Sequence, residues 1–278
     1  MNLNEISNDL NKNKIIKNPF TFKLTVKILR KDRKIKAGEY LIKKSSSQYE
    51  ILNLFIRGKT VLRRFTAPEG LTSKEIVYLL NNQAGLVGKI NNIPFEGTLL
   101  PETYFFSYGD KRNLIIERMK KAMSVEIEKA WVKKGRNTSK LSLKEVIILA
   151  SIIEKESSIN KEKYRVSSVF HNRLKIGMRL QSDPTVIYSL KLDGVENNKS
   201  LSKKDLSYVS KYNTYLVYGL PPMPICNPGK ISINAALNPD ITEDLYFVAD
   251  GKGGHRFAKK YSEHLKNVKL LRNYKKSN

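Results

Sequence analysis

A chain of 278 residues, 40% hydrophobic and 28% charged, can bury a sizeable core as one large domain or two smaller ones. It has neither the ~20-residue apolar run of a membrane-spanning helix nor, in its opening MNLNEISNDLNKNKIIKN, the apolar stretch of a signal peptide. The net charge of +25 suggests a polyanionic partner, but no basic block is interleaved with aromatics, so it reads as background that helps at an acidic surface, not as a nucleic-acid site.

Residues Asn4 to Leu10, with Ile15, Ile16 and Phe20 after them, resemble the helical half of a strand-plus-helix unit whose strand is missing. The chain is therefore expected to start in the middle of a repeat. Lys36 to Ile42, around Gly38, read as a strand, and Tyr49 to Ile56 carry apolar residues at helical spacing. The plan then repeats: a strand over Val61 to Ala67, a turn at Glu69-Gly70, a cap at Thr72 or Ser73, and a helix face from Ile76, Leu79 and Leu80. The polar, glycine-containing stretch Asn81 to Ile93 is the expected boundary between an N-terminal region, 1–90, and a larger domain, 91–278.

Beyond it come an extended aromatic-rich segment, Phe95 to Tyr104, an amphipathic helix over Asn113 to Lys133, and a polar loop over Lys134 to Lys140. Ser142 and Glu145 form a capping box for a helix to Glu156 that is apolar on nearly every side, and so expected to be buried. Asn160 can cap the next helix, which runs to Lys175 and stops at Gly177. Asp183-Pro184 marks another helix start, and Tyr212 to Gly229 reads as a rigid, proline- and tyrosine-rich loop. Leu245 to Ala249 reads as a fully buried strand running into a glycine turn, Asp250 to His255. The lone Cys226 can form no internal disulfide, and His171, His255 and His264 are too scattered for a zinc site.

The buried helix ends in two carboxylates, Glu154 and Glu156. A carboxylic acid can protonate a glycosidic oxygen if burial raises its pKa toward neutrality; the negative helix end adds ~0.3–1 kcal/mol in the same direction. At about 100° per residue the two point about 160° apart, so they cannot share one small site as an acid–nucleophile pair. Glu154 shares its face with Ile147, Ala150 and Ser151, where small residues leave space for a sugar, whereas Glu156 lies above Leu149 and Ile152. Both could equally begin the solvated end of the helix. Gln181, Ser182, Asp183 and Thr185 gather polar groups at a helix start, where capping is their ordinary role. Tyr212, Asn213, Thr214 and Tyr215 would suit sugar rings, hydroxyls and acetamido groups, or would simply order a loop.

The run Leu149-Ala150-Ser151-Ile152-Ile153-Glu154-Lys155-Glu156 resembles the catalytic-helix signature of MltG/YceG-like endolytic murein transglycosylases. The similarity extends to Val169 through Leu174, Gly177 through Tyr188, Tyr212 through Tyr215, Gly219 through Pro222, Pro224-Ile225, Asn227 through Gly229 and Leu245 through His255. Phe95-Glu96-Gly97 and Leu100 through Tyr104 match ahead of them.

This resemblance implies an α+β fold: a small LysM-like strand-helix N-terminal subdomain, then a mixed α/β lytic transglycosylase domain with a buried catalytic helix. It implies Glu154 as the catalytic acid/base. Gln181, Ser182, Asp183, Thr185, Tyr212, Asn213, Thr214, Tyr215 and Glu102 are expected to hold the substrate. The implied reaction cuts between N-acetylmuramic acid and N-acetylglucosamine within a nascent strand, terminating its elongation. The muramic C6 hydroxyl closes on its own C1 and leaves a 1,6-anhydro end. One carboxyl suffices, protonating the leaving oxygen and then taking the hydroxyl proton, while the substrate acetamido group shields the cationic centre.

No cofactor or metal is implied. The implied partners are peptidoglycan glycan strands, penicillin-binding synthases and the elongation or division machinery, at the periplasmic face of the inner membrane. Family members typically carry an N-terminal membrane helix that this chain lacks, so the reading frame is expected to begin upstream or the anchor to have been lost. The competing functions are a catalytically silent peptidoglycan-binding protein, a nucleic-acid-binding protein suggested by charge alone, and a lysozyme-type hydrolase, which would need a second carboxylate across the cleft.

Overall fold

The computed structural model describes residues 2–135, 140–195 and 201–277, and shows a largely helical chain with two small two-stranded sheets. The chain forms two compact units: Met1–Phe65, Leu80–Ile90 and Thr103–Ile115 make one, and Thr66–Leu79, Asn91–Glu102 and Ile116–Asn278 the other. The segments of the two units thus alternate along the sequence. One reason is local: Gly70 N donates to Asn227 O at 3.1 Å and Asn227 N to Leu71 O at 2.9 Å, fastening the 66–79 segment into the second unit.

In the first unit, α1 (Leu3–Lys12), α2 (Pro19–Ile28) and α3 (Gln48–Arg57) close over Leu10, Ile16, Phe22, Val26, Ile51, Leu52 and Phe55. Capping boxes at Asn2/Glu5 and Ser47/Glu50 start α1 and α3, and Asn18 caps α2 just ahead of Pro19. β1 (Leu62–Thr66) pairs with β2 (Thr103–Ser107). The strand expected over Lys36 to Ile42 does not form. Its backbone makes isolated bonds instead: Lys36 N to Phe55 O at 3.2 Å, and Glu39 O from Val61 N at 2.7 Å. A strand needs a neighbour in register, and here none runs alongside.

α4 (Ser73–Asn82) and α5 (Arg112–Val132) follow the apolar spacing of their sequences. In the second unit, α6 (Leu143–Glu156) is the central element, buried from Val146 through Ile153 behind its Ser142/Glu145 capping box. α7 (Asn160–Lys175), α8 (Asp183–Leu192), the short α9 (Lys203–Leu206) and α10 (Lys230–Leu237) follow. α10 packs on both α6 and α7, and its Ile233, Ala235, Ala236 and Leu237 share one core with Ile147, Ala150, Val166 and Phe170. Alanines on both α6 and α10 permit a close approach of the two helices. Ile159, not Asn160, occupies the cap position of α7; Ser157 Oγ accepts from Ile159 N at 3.1 Å and orders the turn.

The hairpin of β3 (Tyr246–Ala249) and β4 (His255–Ala258) is antiparallel, pairing Tyr246 with Ala258 and Ala249 with His255. β3 is half-buried, not fully buried as expected, because a two-stranded ribbon has only one partner along its edge. α11 (Tyr261–Ser277) packs on this hairpin. Of the loop expected over Lys134 to Lys140, residues 136–139 lie outside the described residues. Among the described residues, no helix is long and apolar enough to cross a membrane.

Candidate active site

The carboxyl groups of Glu154 and Glu156 meet very different surroundings. Glu154, its side chain 6% exposed, accepts from Lys163 Nζ at 2.8 Å on one oxygen, and from Gly229 N at 2.9 Å and Ser232 Oγ at 2.7 Å on the other. Lys163 is 2% exposed and lies 3.9 Å from Glu69 as well. Burial, then the neighbouring Glu154 charge, raises the Glu69 carboxyl above its ordinary range. The Glu69 carboxylate lies over Gly229, where an added Cβ would fall 1.8 Å from its oxygen. In each of its contacts Glu154 accepts, and the network closes around it.

The space expected beside Ala150 and Ser151 is filled by protein. Ser151 Oγ donates to Ile148 O at 2.7 Å and accepts from Ile225 N at 3.0 Å, while the Cys226 thiol donates to Ser151 O at 3.3 Å. Small residues on this face of α6 admit the 225–226 chain and α10.

Glu156 sits at the last turn of α6, where Ser182 Oγ donates to its Oε1 at 2.5 Å. Burial pushes this carboxyl up to about 7; the Asp183 charge adds to the rise, and the Ser182 bond and Arg173 oppose it. Glu156 lines a cleft of about 510 Å³ together with Arg173, Gln181, Asp183, Tyr215, Tyr246, His255, Tyr261 and His264. Tyr246 and His264 stack there at 5.2 Å, giving flat apolar surface of the kind sugar rings use. The buried Arg173 is clamped by bonds to Leu245 O and Leu180 O, both 2.7 Å. It also lies 5.5 Å from the Tyr246 ring, so it joins α7 to the hairpin beside the cleft.

The other expected substrate residues divide into wall and scaffold. Gln181, Asp183 and Tyr215 form the wall, and the Tyr215 hydroxyl donates to Asp183 Oδ1 at 2.5 Å. Thr185, Asn213 and Thr214 are fully buried. Asn213 Nδ2 donates to Leu206 O at 3.0 Å and Tyr208 O at 2.8 Å, and its Oδ1 accepts from Tyr215 N at 2.9 Å. Thr214 receives Gln181 N on its carbonyl at 3.1 Å and Ser182 N on its hydroxyl at 2.9 Å, while Thr185 bonds to both Thr214 and Ser182. These polar atoms are committed to protein partners, so the residues shape the loop that presents Gln181 and Ser182. Gln181 itself holds a left-handed backbone, φ +49°, which favours glycine. Tyr212 is buried edge-on against Tyr188 at 5.1 Å. Glu102 is ion-paired with Lys230, which adjoins the Gly229 that bonds Glu154, and it lies outside the Glu156 cleft.

A further carboxyl with a raised pKa is Glu96, pushed up to about 7 by burial although Ser73 N donates to it at 2.8 Å. Its folded pKa stands above the ordinary 4.5, so the proton is bound more tightly in the folded state and stability falls as pH rises from about 4.5 through about 7. Glu96→Gln keeps the acceptor without the charge. It is expected to melt like the parent at pH 5 and to be more stable by about 1–3 kcal/mol at pH 8, as paired thermal melts would show.

Over residues 1–270 the chain matches the YceG-like family. It is 42% identical over 176 residues to the endolytic murein transglycosylase of Bacillus subtilis (strain 168), covering 62% of this chain and 47% of that protein. It is 27% identical over 314 aligned positions to the endolytic murein transglycosylase of Streptococcus pneumoniae serotype 2 (strain D39), covering 96% of this chain and 56% of that one. The chain thus spans about half the length of the curated relatives it matches. The crystal structure of a yceG-like protein from Listeria monocytogenes has the same fold, with a TM-score of 0.61, 33% identity and 95% of both chains covered. A match over nearly its whole length establishes that the chain belongs to the YceG-like family.

Proposed function

We propose that this chain is an endolytic peptidoglycan lytic transglycosylase in which Glu156, and not the Glu154 favoured by sequence, is the general acid. The observation that carries the assignment is a carboxyl raised to about 7, hydrogen-bonded to Ser182 and opening onto an aromatic-walled cleft. At neutral pH such a group is substantially protonated, as a donor to a glycosidic oxygen must be. The relatives' common name, endolytic murein transglycosylase, supplies the substrate class: an amino-sugar polymer cut within the strand.

Glu156 gives its proton to the leaving N-acetylglucosamine O4 as the bond from muramic C1 breaks. The muramic O6 then forms the new bond to C1, its proton is released, and no water is consumed. Gln181 and Tyr215 hold the sugar, and Tyr246 with His264 provides the stacking surface. The first unit is the LysM-like part that keeps the strand engaged. The enzyme works on nascent strands at the outer side of the membrane that makes them, beside the penicillin-binding synthases, and its cut ends elongation.

Purified chain incubated with nascent glycan should release fragments with 1,6-anhydro ends, read by mass spectrometry. Reducing ends would mean a hydrolase, and binding without cleavage a silent wall-binding protein. The protonated acid is the active form, so kcat/KM for anhydro release should fall about tenfold per pH unit above the Glu156 pKa of about 7. Rates measured from pH 5 to 9 check the position of that limb.

A further inference from the structure

We propose that His255 is the base that receives the muramic C6-hydroxyl proton, so that the reaction uses a separated acid and base, not one carboxyl acting twice. The proposal rests on the Glu156 cleft described above. His255 opens β4, opposite Ala249, directly after the turn in which Asp250 Oδ1 accepts from Lys252 N at 2.6 Å and Gly254 N at 3.0 Å. One carboxylate of α7 grips the residue twice: Glu162 Oε1 accepts from His255 N at 3.1 Å, and Glu162 Oε2 lies 2.8 Å from His255 Nδ1. A glycine at 254 makes room for this grip, since an added Cβ would fall 2.8 Å from Glu162 Oε1. The ring is wedged edge-on against Phe247 at 5.4 Å and Phe257 at 6.3 Å.

What the grip leaves over is Nε2. It has no hydrogen-bond partner among the described residues, and the imidazole lines the same cleft as Glu156. With the Nδ1 proton donated to Glu162, the Nε2 lone pair is presented to whatever occupies the cleft. A base oriented through its far nitrogen by a carboxylate is the arrangement that activates a hydroxyl nucleophile. The balance is simple. O6–H passes its proton to Nε2 as the O6–C1 bond forms, Glu156 passes its proton to O4 as the C1–O4 bond breaks, and the proton on His255 then returns to Glu156 through solvent. No further reactant is needed.

The test uses the full chain acting on nascent glycan. His255→Gln keeps a donor for Glu162 but has no ring nitrogen to accept a proton; kcat should fall roughly 10²–10⁴-fold, with KM within about threefold and the melting point held. His255→Ala should recover at least about tenfold in rate with added imidazole, which a purely structural histidine would not allow. The proposal is overturned if His255→Gln stays within about threefold of the parent kcat, if its loss lies in KM alone, or if imidazole fails to rescue His255→Ala. An active parent with an indifferent His255→Gln removes only the base, whereas a parent that releases no anhydro ends removes the transglycosylase assignment itself.

Discussion

Glu156→Gln is expected to lower the release of anhydro-ended fragments by roughly 10²–10⁴-fold without unfolding the chain. Glutamine is nearly isosteric, and its carbonyl can still accept from Ser182 Oγ, which now bonds Glu156 at 2.5 Å. What is lost is the acidic proton, so the loss should lie in kcat, with glycan binding retained. Glu154→Gln serves as the contrast. Its carboxylate is enclosed by Lys163, Gly229 and Ser232, so its removal should act on stability, and the folded fraction should turn over within about tenfold of the parent. Rates normalised to folded protein and set beside circular dichroism decide the matter. A folded but inactive Glu154→Gln, together with an active Glu156→Gln, would return the acid to the position that sequence favoured.

The second large effect falls on Lys163. Lys163→Met should destabilise the fold by about 3–5 kcal/mol, because it leaves the Glu154 charge in the interior without its cation. For a chain of this size, each kcal/mol shifts the midpoint by about 2–4 °C, so the melting temperature should fall by roughly 10 °C. Lys163→Met combined with Glu154→Gln should recover most of that loss, since a neutral pair carries no stranded charge. Thermal melts of the two singles and the double form the cycle. A loss below about 1 kcal/mol in Lys163→Met would show that water reaches Glu154 freely, and that the 2.8 Å pair is incidental to the fold.

Local signals in the sequence carried much of the fold. The capping boxes at Ser47 and Ser142, the apolar spacing of α3 and the proline at the start of α8 are written within a few residues of the helices they start. The Lys36 to Ile42 strand failed for the complementary reason: a strand is defined by a neighbour that one segment does not encode. The same limit governs the choice between the glutamates. The helical wheel shows that Ala150 and Ser151 are small, but not that Ile225, 74 positions later, fills the space beside them. Gln181, Asp183 and Tyr215, which line the cleft, come from two short runs where polar and aromatic side chains cluster in the sequence. Asn213 and Thr214 have the same composition, yet their polar atoms are committed to backbone that only folding brings near. His255 looked like a loop histidine because its partner, Glu162, lies 93 positions earlier in the chain.

The left-handed backbone at Gln181 has a consequence for the stability of the fold. A side chain other than glycine, asparagine or aspartate in that basin carries a penalty of about 1–3 kcal/mol. On backbone preference alone glycine would be the favoured residue here, so the fold carries this strain at the point where the amide meets the cleft wall.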